Sequence, residues 1–339
     1  MSSRLGTVGV LMGGPSTERA ISLKSGEAVV QALTSRGHRA VPIALHPTET
    51  TAERVAARLA QARCDVAFLA LHGSFGEDGA IQEILEQLEM PYTGSGPAAS
   101  RLAFDKWRSH QQLTAHGVAM PPAIHLSRRD AELFQRGLQQ LHRHTWPLTI
   151  VVKPVHQGSS MGVALASSAG VLAAAVTMAL QLDDELLLET HVRGRELTVA
   201  IFDEQALPVI EIRTREAFFT FHAKYQADST EYLVPAPLDE ATAVRVQQAA
   251  LTAHHALGCR HFSRVDLILT DDGTPTVLEV NTIPGLTERS LLPRAAQAVG
   301  CAFPELCEHM VALAIERVAA GAWSPRGTAT SNAFTETRT

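Results

Sequence analysis

The sequence predicts a mixed fold, an N-terminal α/β unit with a parallel sheet followed by α+β units built on antiparallel strands. Three observations predict it. Apolar runs at 8–12 and 65–71 end in Gly13-Gly14 and His72-Gly73 and are separated by a helical pattern, the alternation that yields parallel pairing. From Leu197 onward, short strand patterns succeed one another with few helices between them, which favours antiparallel pairing. The 339 residues amount to about two or three ordinary domains.

The elements follow in order. Val8–Met12 reads as a buried strand, and Ser16-Thr17-Glu18 after the glycine pair has the chemistry of a helix start. Ile21, Leu23, Ala28, Val29, Ala32 and Leu33 then recur at helical spacing, and Asp65–Leu71 is a second strand. Turn formers crowd 91–97, a helix at Lys106–His116 closes at Gly117, and the first domain boundary falls near residue 100. Leu148–Lys153 is a strand, 156–162 a Gly/Ser loop, Ser168–Leu180 a helix and Glu185–Glu189 a strand. Strands follow at Leu197–Phe202, Pro208–Ile212, Val265–Leu269 and Thr276–Val280, with helices at Glu240–Leu257 and Phe303–Ala319. The last residues, 321–339, have little to bury and are expected to form a mobile tail.

Composition narrows the function. With 45% apolar and 19% charged residues the chain is neither disordered nor fibrous, and its net charge of −6 offers no basic field for nucleic acid. Cys64, Cys259, Cys301 and Cys307 are too few and too scattered for a disulfide framework or zinc spacing, which fits a reducing compartment. No apolar stretch reaches the length of a membrane span or a signal segment, so a cytoplasmic protein without membrane insertion is expected.

The segment 264–281 carries the most chemistry. Asp271-Asp272-Gly273 between two apolar runs reads as a hairpin turn. Strand alternation puts Glu279 and Asn281 on one face, with Asp266 on the partner strand beside them. Two carboxylates and an amide oxygen suit Mg²⁺, which completes its shell with water and substrate phosphates. A solvated hairpin face of cross-strand charges fits the same spacing. Arg264 shares the face of Asp266 and can pair with a carboxylate or donate to a developing negative charge. The strand then runs into the Pro284-Gly285 turn, where backbone N–H groups can face a ligand or simply close a type II turn.

Lys153 ends a strand and precedes a Gly/Ser loop able to fold over phosphates, although most such loops are connectors and neither the P-loop nor the dinucleotide-binding glycine pattern is present. Glu18 can belong to a helix cap, His72 to a satisfied core, and Lys224-Tyr225 to an ordinary amphipathic pair.

Taken in order, nine stretches resemble the D-alanine:D-alanine ligases of the ATP-grasp superfamily: GGPSTERAISLKSG, LHGSFGEDGAIQEILE, PYTGSGPAAS, FDK, VVKPVHQGSSMGV, RGRELTVAIF, AKYQADSTEYLVPA, GCRHFSRVDL and LEVNTIPGLTERSLLP. The resemblance runs from about Val8 to Gly300. It implies a three-part ATP-grasp architecture: a Rossmann-like substrate-binding domain at 1–104, a small central domain at 105–193, and a C-terminal domain with the metal site at 194–320. It also implies ATP and two Mg²⁺ ions, with Mn²⁺ as a substitute, D-alanine as substrate, a homodimer, and a dipeptide product for peptidoglycan made through an acyl phosphate.

Residue by residue, the resemblance places Lys106, Lys153 and Lys224 at the ATP phosphates, Ser159 and Ser160 among the ATP-binding residues, Glu189 at the adenine side and Glu196 at the ribose. Asp266, Glu279 and Asn281 would hold the metal ions, and Arg264 with the Gly285 N–H would stabilise an oxyanion. Glu18 would bind the first ammonium group through a network with Ser159 and Tyr225, while Ser290, Leu291 and His72 would line the second subsite. The presence of Tyr225 implies an amine rather than a hydroxyl acceptor. Three departures stand out: His261 and Glu83 where the family pattern has glycine, and Phe104 where it has methionine. Competing readings are a related ligase using D-lactate, D-serine or another acceptor, and an ATP-binding regulator without turnover, which the intact candidate metal ligands oppose.

Overall fold

A computed structural model describes residues 5–131, 133–134, 149–214 and 230–319. Lys224, Tyr225 and the 321–339 tail lie outside the described residues.

The first unit is a parallel sheet with strand order β2-β1-β3, formed by β1 (Thr7–Gly13), β2 (Arg39–Leu45) and β3 (Val66–Leu69). Every residue of β1 is buried, as a central parallel strand covered on both faces requires. Helix α1 (Arg19–Ser35) crosses from β1 to β2, and α2 (Ala52–Ala62) from β2 to β3. Strand β2 and α2 escape a reading by continuous apolar runs, because half of β2 faces solvent and its only fully buried side chains are Ile43 and Leu45. Helices α3 (Ala80–Gln87) and α4 (Pro97–Phe104) follow.

Helix α5 (Lys106–Ala115), capped by the Asp105 carboxylate on the Arg108 N–H at 2.9 Å, leads to a second, antiparallel sheet. Its strand order is β4-β7-β5-β6, from β4 (Ala123–Ser127), β5 (Ile150–Pro154), β6 (Ala164–Ala166) and β7 (Glu185–Thr190). Helix α6 (Ala169–Ala179) covers one face, burying Leu172 and Val176 against Val152 and Leu188.

The third sheet is antiparallel throughout: β8 (Arg195–Phe202) lies between β10 (Ile210–Thr214) and β12 (Phe262–Leu269), β11 (Thr230–Leu233) and β13 (Pro275–Asn281) form the edges, and β9 (Gln205–Ala206) pairs with β8. Helix α7 (Glu240–Ala256) packs on it through Val246, Ala250 and Ala253. Helices α8 (Leu291–Ala298) and α9 (Phe303–Ala319) return to the first unit, where Leu292, Leu306 and Met310 share one core with Val8, Val10 and Val29. Each fully buried side chain of this size contributes about 1.5–3 kcal/mol, so this shared core fixes the first and third sheets relative to each other. Among the described residues no single helix is long and apolar enough to cross a membrane, and no cysteine is paired.

The three departures find plain accommodation. His261 adopts the left-handed conformation expected of glycine (φ 62°), and its Nδ1 accepts the Gly94 N–H at 3.2 Å. Glu83 lies within α3 and pairs with Arg101 at 3.0 Å on the surface. Phe104 ends α4 at the edge of the cleft described next.

Candidate active site

A cleft of about 640 Å³ opens between the carboxyl ends of the parallel strands, the Gly/Ser loop and the β12–β13 hairpin. Glu18, His72, Lys106, Ser159, Arg264 and Glu279 line it, as do Asn281, Gly285, Ser290 and Leu291. The remaining described candidates stand behind this lining or on adjacent strands, as does Ser160 on the Gly/Ser loop.

Glu18 sits at the cap position of α1, yet its carboxylate makes no cap bond. The Ser16 hydroxyl accepts the Glu18 N–H instead, at 3.0 Å, so the cluster read as a helix start leaves the Glu18 carboxylate to the cleft. That carboxylate accepts the Ser159 hydroxyl. Two glycines make room for it. A Cβ on Gly158 would lie 2.5 Å from Glu18 Oε2, and one on Gly73, itself at φ 72°, would lie 2.7 Å from the same atom. Ser159 and Ser160 both hold left-handed backbone (φ 49° and 58°), strain of about 1 kcal/mol or more each, which persists only where surrounding contacts impose it. Those contacts are visible: Lys106 Nζ donates to the Gln157 carbonyl, and the His156 N–H donates to Asp183 at 2.6 Å.

His72 is buried, with Nδ1 3.0 Å from the Ile283 carbonyl and Nε2 3.0 Å from Ser25 Oγ. A carbonyl only accepts, so Nδ1 carries the proton and Nε2 accepts from the serine. Ser25 Oγ in turn accepts the Leu286 N–H at 3.4 Å. Burial, assisted by the nearby Arg264 charge, lowers the His72 pKa to about 4 and keeps the ring neutral. The chain of bonds ties α1, the end of β3 and the turn containing Gly285 into one wall. Beside Gly285, Ser290 Oγ accepts the Thr287 N–H at 3.1 Å.

Strand register confirms the alternation argument for the hairpin: Asp266 stands opposite Glu279 and Arg264 opposite Asn281. A bulge between Asp266 and Leu267, which periodicity cannot reveal, lies at this same point. Arg264 grips Asp266 with two bonds, Nε to Oδ1 at 2.8 Å and Nη2 to Oδ2 at 2.7 Å. Thr198 on β8 adds a third donor to Oδ1 at 2.7 Å. Asn281 Oδ1 accepts the Ile283 N–H at 3.1 Å, so the amide oxygen is held toward the Pro-Gly turn. Two carboxylates in register on neighbouring strands, with an amide oxygen two residues along, are a hard-oxygen donor set of the kind that suits Mg²⁺.

Behind the Gly/Ser loop, Lys153 on β5 pairs with Glu189 on β7 at 2.5 Å, and both are buried. Glu196, on β8, is paired in register with Ile212 and Ile268. Burial lowers the Lys106 pKa, and the negative charges of Glu279, Glu189 and Glu77 oppose that shift.

Sequence reasoning missed four charged cleft residues. Glu77 lies beside Glu18, and its carboxylate accepts the Gly73 N–H at 2.6 Å. Burial, then the Glu18 charge, raises its pKa to about 8. Three glycines within 73–79 were the available signal, since they let the loop double back at a strand end. Lys24, Arg289 and Arg294 add positive charge, and Arg294 lies 4.9 Å over the Tyr232 ring. Their helical or loop positions looked like ordinary surface.

Comparison with known proteins agrees with this geometry. The family model described as D-ala D-ala ligase C-terminus matches residues 113–312, and that described as D-ala D-ala ligase N-terminus matches residues 46–95. A D-alanine--D-alanine ligase from Hydrogenovibrio crunogenus is 42% identical over 92% of this chain and 96% of its own, and one from Alcanivorax borkumensis is 42% identical over 93% and 96%. The crystal structure of the Bacillus anthracis D-alanine--D-alanine ligase complexed with ATP is 32% identical, with a TM-score of 0.78 over 93% of this chain and 99% of that one. The VanG D-Ala:D-Ser ligase of Enterococcus faecalis is 28% identical, with a TM-score of 0.76 over 91% and 99%. The fold is thus shared with proteins alike in sequence over nearly their whole length, and the chain belongs to the D-alanine--D-alanine ligase family.

Proposed function

We infer that the chain ligates two D-alanine molecules to D-alanyl-D-alanine with ATP, supplying a dipeptide for peptidoglycan. The observation that carries the reading is the Glu18–Ser159 bond, which closes the Gly/Ser loop over a cleft also lined by Arg264, Glu279 and Asn281, with Asp266 in register opposite Glu279.

The first step brings a carboxylate to a phosphate, so like charges must be neutralised and the reacting atoms aligned. Lys106, Lys153 and Ser160, with Lys224, would hold the phosphates, Glu189 the adenine side and Glu196 the ribose. Asp266, Glu279 and Asn281 would hold two Mg²⁺ ions, which when bound would neutralise phosphate charge. Glu18 would accept the ammonium of the first D-alanine while Ser159 and Tyr225 lock the loops, excluding the water that would hydrolyse an acyl phosphate. In the second step an amine attacks that acyl group, and Arg264 with the Gly285 N–H would stabilise the tetrahedral oxyanion. Ser290, Leu291 and His72 would border the second subsite.

On this reading residues 1–104 form the substrate-binding domain, 105–193 the small ATP-binding domain and 194–320 the domain with the metal site, and the protein is a cytoplasmic homodimer. Phosphate release from ATP and Mg²⁺ with D-alanine, L-alanine or D-lactate added separately, with mass analysis of products, tests the function. Release that requires D-alanine and yields its dipeptide is expected. Release with another acceptor, or with no ligation product, would overturn it.

A further inference from the structure

At the far end of α7 from its Asp239 cap, the last turn carries His254 and His255, neither of which lines the cleft. They meet Glu204, from the tight turn between β8 and β9, where Asp203 and Glu204 both hold left-handed backbone (φ 46° and 61°). His255 Nε2 lies 2.8 Å from Glu204 Oε2, and the two imidazole rings stand nearly perpendicular at 81°. His254 sets this trio apart from an ordinary surface pair.

His254 is fully buried, and its Nδ1 lies 2.7 Å from Ser263 Oγ. Its Nε2 is also buried, has no hydrogen-bond partner among the described residues, and faces Glu204 Oε1 at 4.0 Å. That separation is too long for a hydrogen bond. Burial lowers the His254 pKa to about 4, so the ring is neutral. Whichever nitrogen then carries the proton, Nε2 is unsatisfied, at a cost of about 1–3 kcal/mol. A divalent ion bound at about 2.0–2.1 Å to nitrogen and to oxygen would fill such a gap.

We propose that Glu204, His254 and His255 bind one divalent transition-metal ion of the zinc class. The three donor atoms lie within 4.8 Å of one another. His254 is fixed, whereas Glu204 and His255 are exposed and free to close around an ion, leaving a further position to water. With a metal ion on Nε2, Nδ1 carries the proton and donates it in a hydrogen bond to Ser263 Oγ, 2.7 Å away, the outer-sphere contact that metal-binding histidines require. Two imidazoles suit zinc, copper or nickel and not magnesium, which separates this site from the oxygen donors of the cleft. The end of α7 adds the negative pole of its peptide dipoles. Ser263 precedes Arg264 on β12 and points to the opposite face, so the bound ion braces the strand from behind.

Full-length protein stripped with chelator and titrated with Zn²⁺ against a chromophoric chelator, in buffer saturated with Mg²⁺, tests the proposal. One tightly bound Zn²⁺ per chain is expected, with Glu204→Gln and His255→Ala each weakening it at least tenfold. Both positions are exposed, so circular dichroism should match the parent. Co²⁺ should give visible absorption bands of imidazole coordination that His255→Ala removes. Absence of bound Zn²⁺ in the parent, equal affinity in both variants, or loss of the site in Glu279→Gln instead would overturn the proposal.

Discussion

The neutral His72 at the wall of the cleft makes stability depend on pH in a way that can be calculated. Its folded pKa of about 4 lies below the 6.5 of a free imidazole because burial excludes the charged ring. Between these values the unfolded chain binds a proton that the folded chain refuses, so stability rises with pH across this window. The contribution is complete above about pH 6.5 and is lost as pH falls toward about 4. At about pH 5 the loss amounts to about 2 kcal/mol, since each pH unit below the free-imidazole value costs about 1.4 kcal/mol. Other titrating groups, His254 among them, act on both proteins in a comparison of wild type with His72→Gln. Urea unfolding at about pH 7.5 should show the variant less stable, because the bonds to Ser25 and Ile283 are lost or weakened. At about pH 5 the difference should shrink by about 2 kcal/mol. Parallel stability curves for the two proteins would refute the account of a buried, neutral His72.

Other consequences follow from single contacts. Gly158→Ala places a methyl group against the Glu18 carboxylate and should lower turnover about 100-fold with little change in unfolding free energy, since small misplacements of a closed site are costly; turnover within threefold of wild type would contradict the closed-loop geometry. Thr198→Val removes a hydroxyl donor from Asp266 and should destabilise the protein by about 1.5–3 kcal/mol in urea unfolding, where no loss would contradict a buried bond to a charged acceptor. Glu279→Gln should raise the Mg²⁺ concentration needed for half-maximal turnover at least tenfold and leave the unfolding midpoint unchanged; equal turnover at every Mg²⁺ concentration would remove Glu279 from the metal site.

Sequence legibility differed by element for physical reasons. Strand β1 and the strands of the hairpin were readable because full burial or strict alternation writes itself into composition. Strand β2, short β6 and helix α2 were not, because β2 exposes positions between its buried ones, β6 is only three residues long and α2 buries only Val55 and Leu59. The juxtaposition of Asp266, Glu279 and Asn281 was legible from alternation, with a solvated hairpin face explaining it equally well, whereas Glu18 and His72 gained meaning only from family resemblance, since a helix cap and a core histidine explain them equally well in one dimension. Glu77 and Thr198 went unread. Each acts through a partner remote in the chain or across strands, Glu77 through Glu18 and Thr198 through Asp266, and no local pattern records such a meeting. The bulge at Asp266 belongs to the same class, because it is a property of two strands together.

The central claim is that the cleft makes a peptide bond by first phosphorylating a D-alanine carboxylate. D-alanine labelled with ¹⁸O in its carboxylate tests it directly, with mass analysis of the inorganic phosphate released during turnover. The attacking carboxylate oxygen stays on phosphorus when the amine displaces it, so each phosphate should carry one ¹⁸O atom and the other ¹⁸O of that carboxylate should remain in the peptide carbonyl. Unlabelled phosphate released in step with dipeptide would contradict the acyl phosphate and the site built around it.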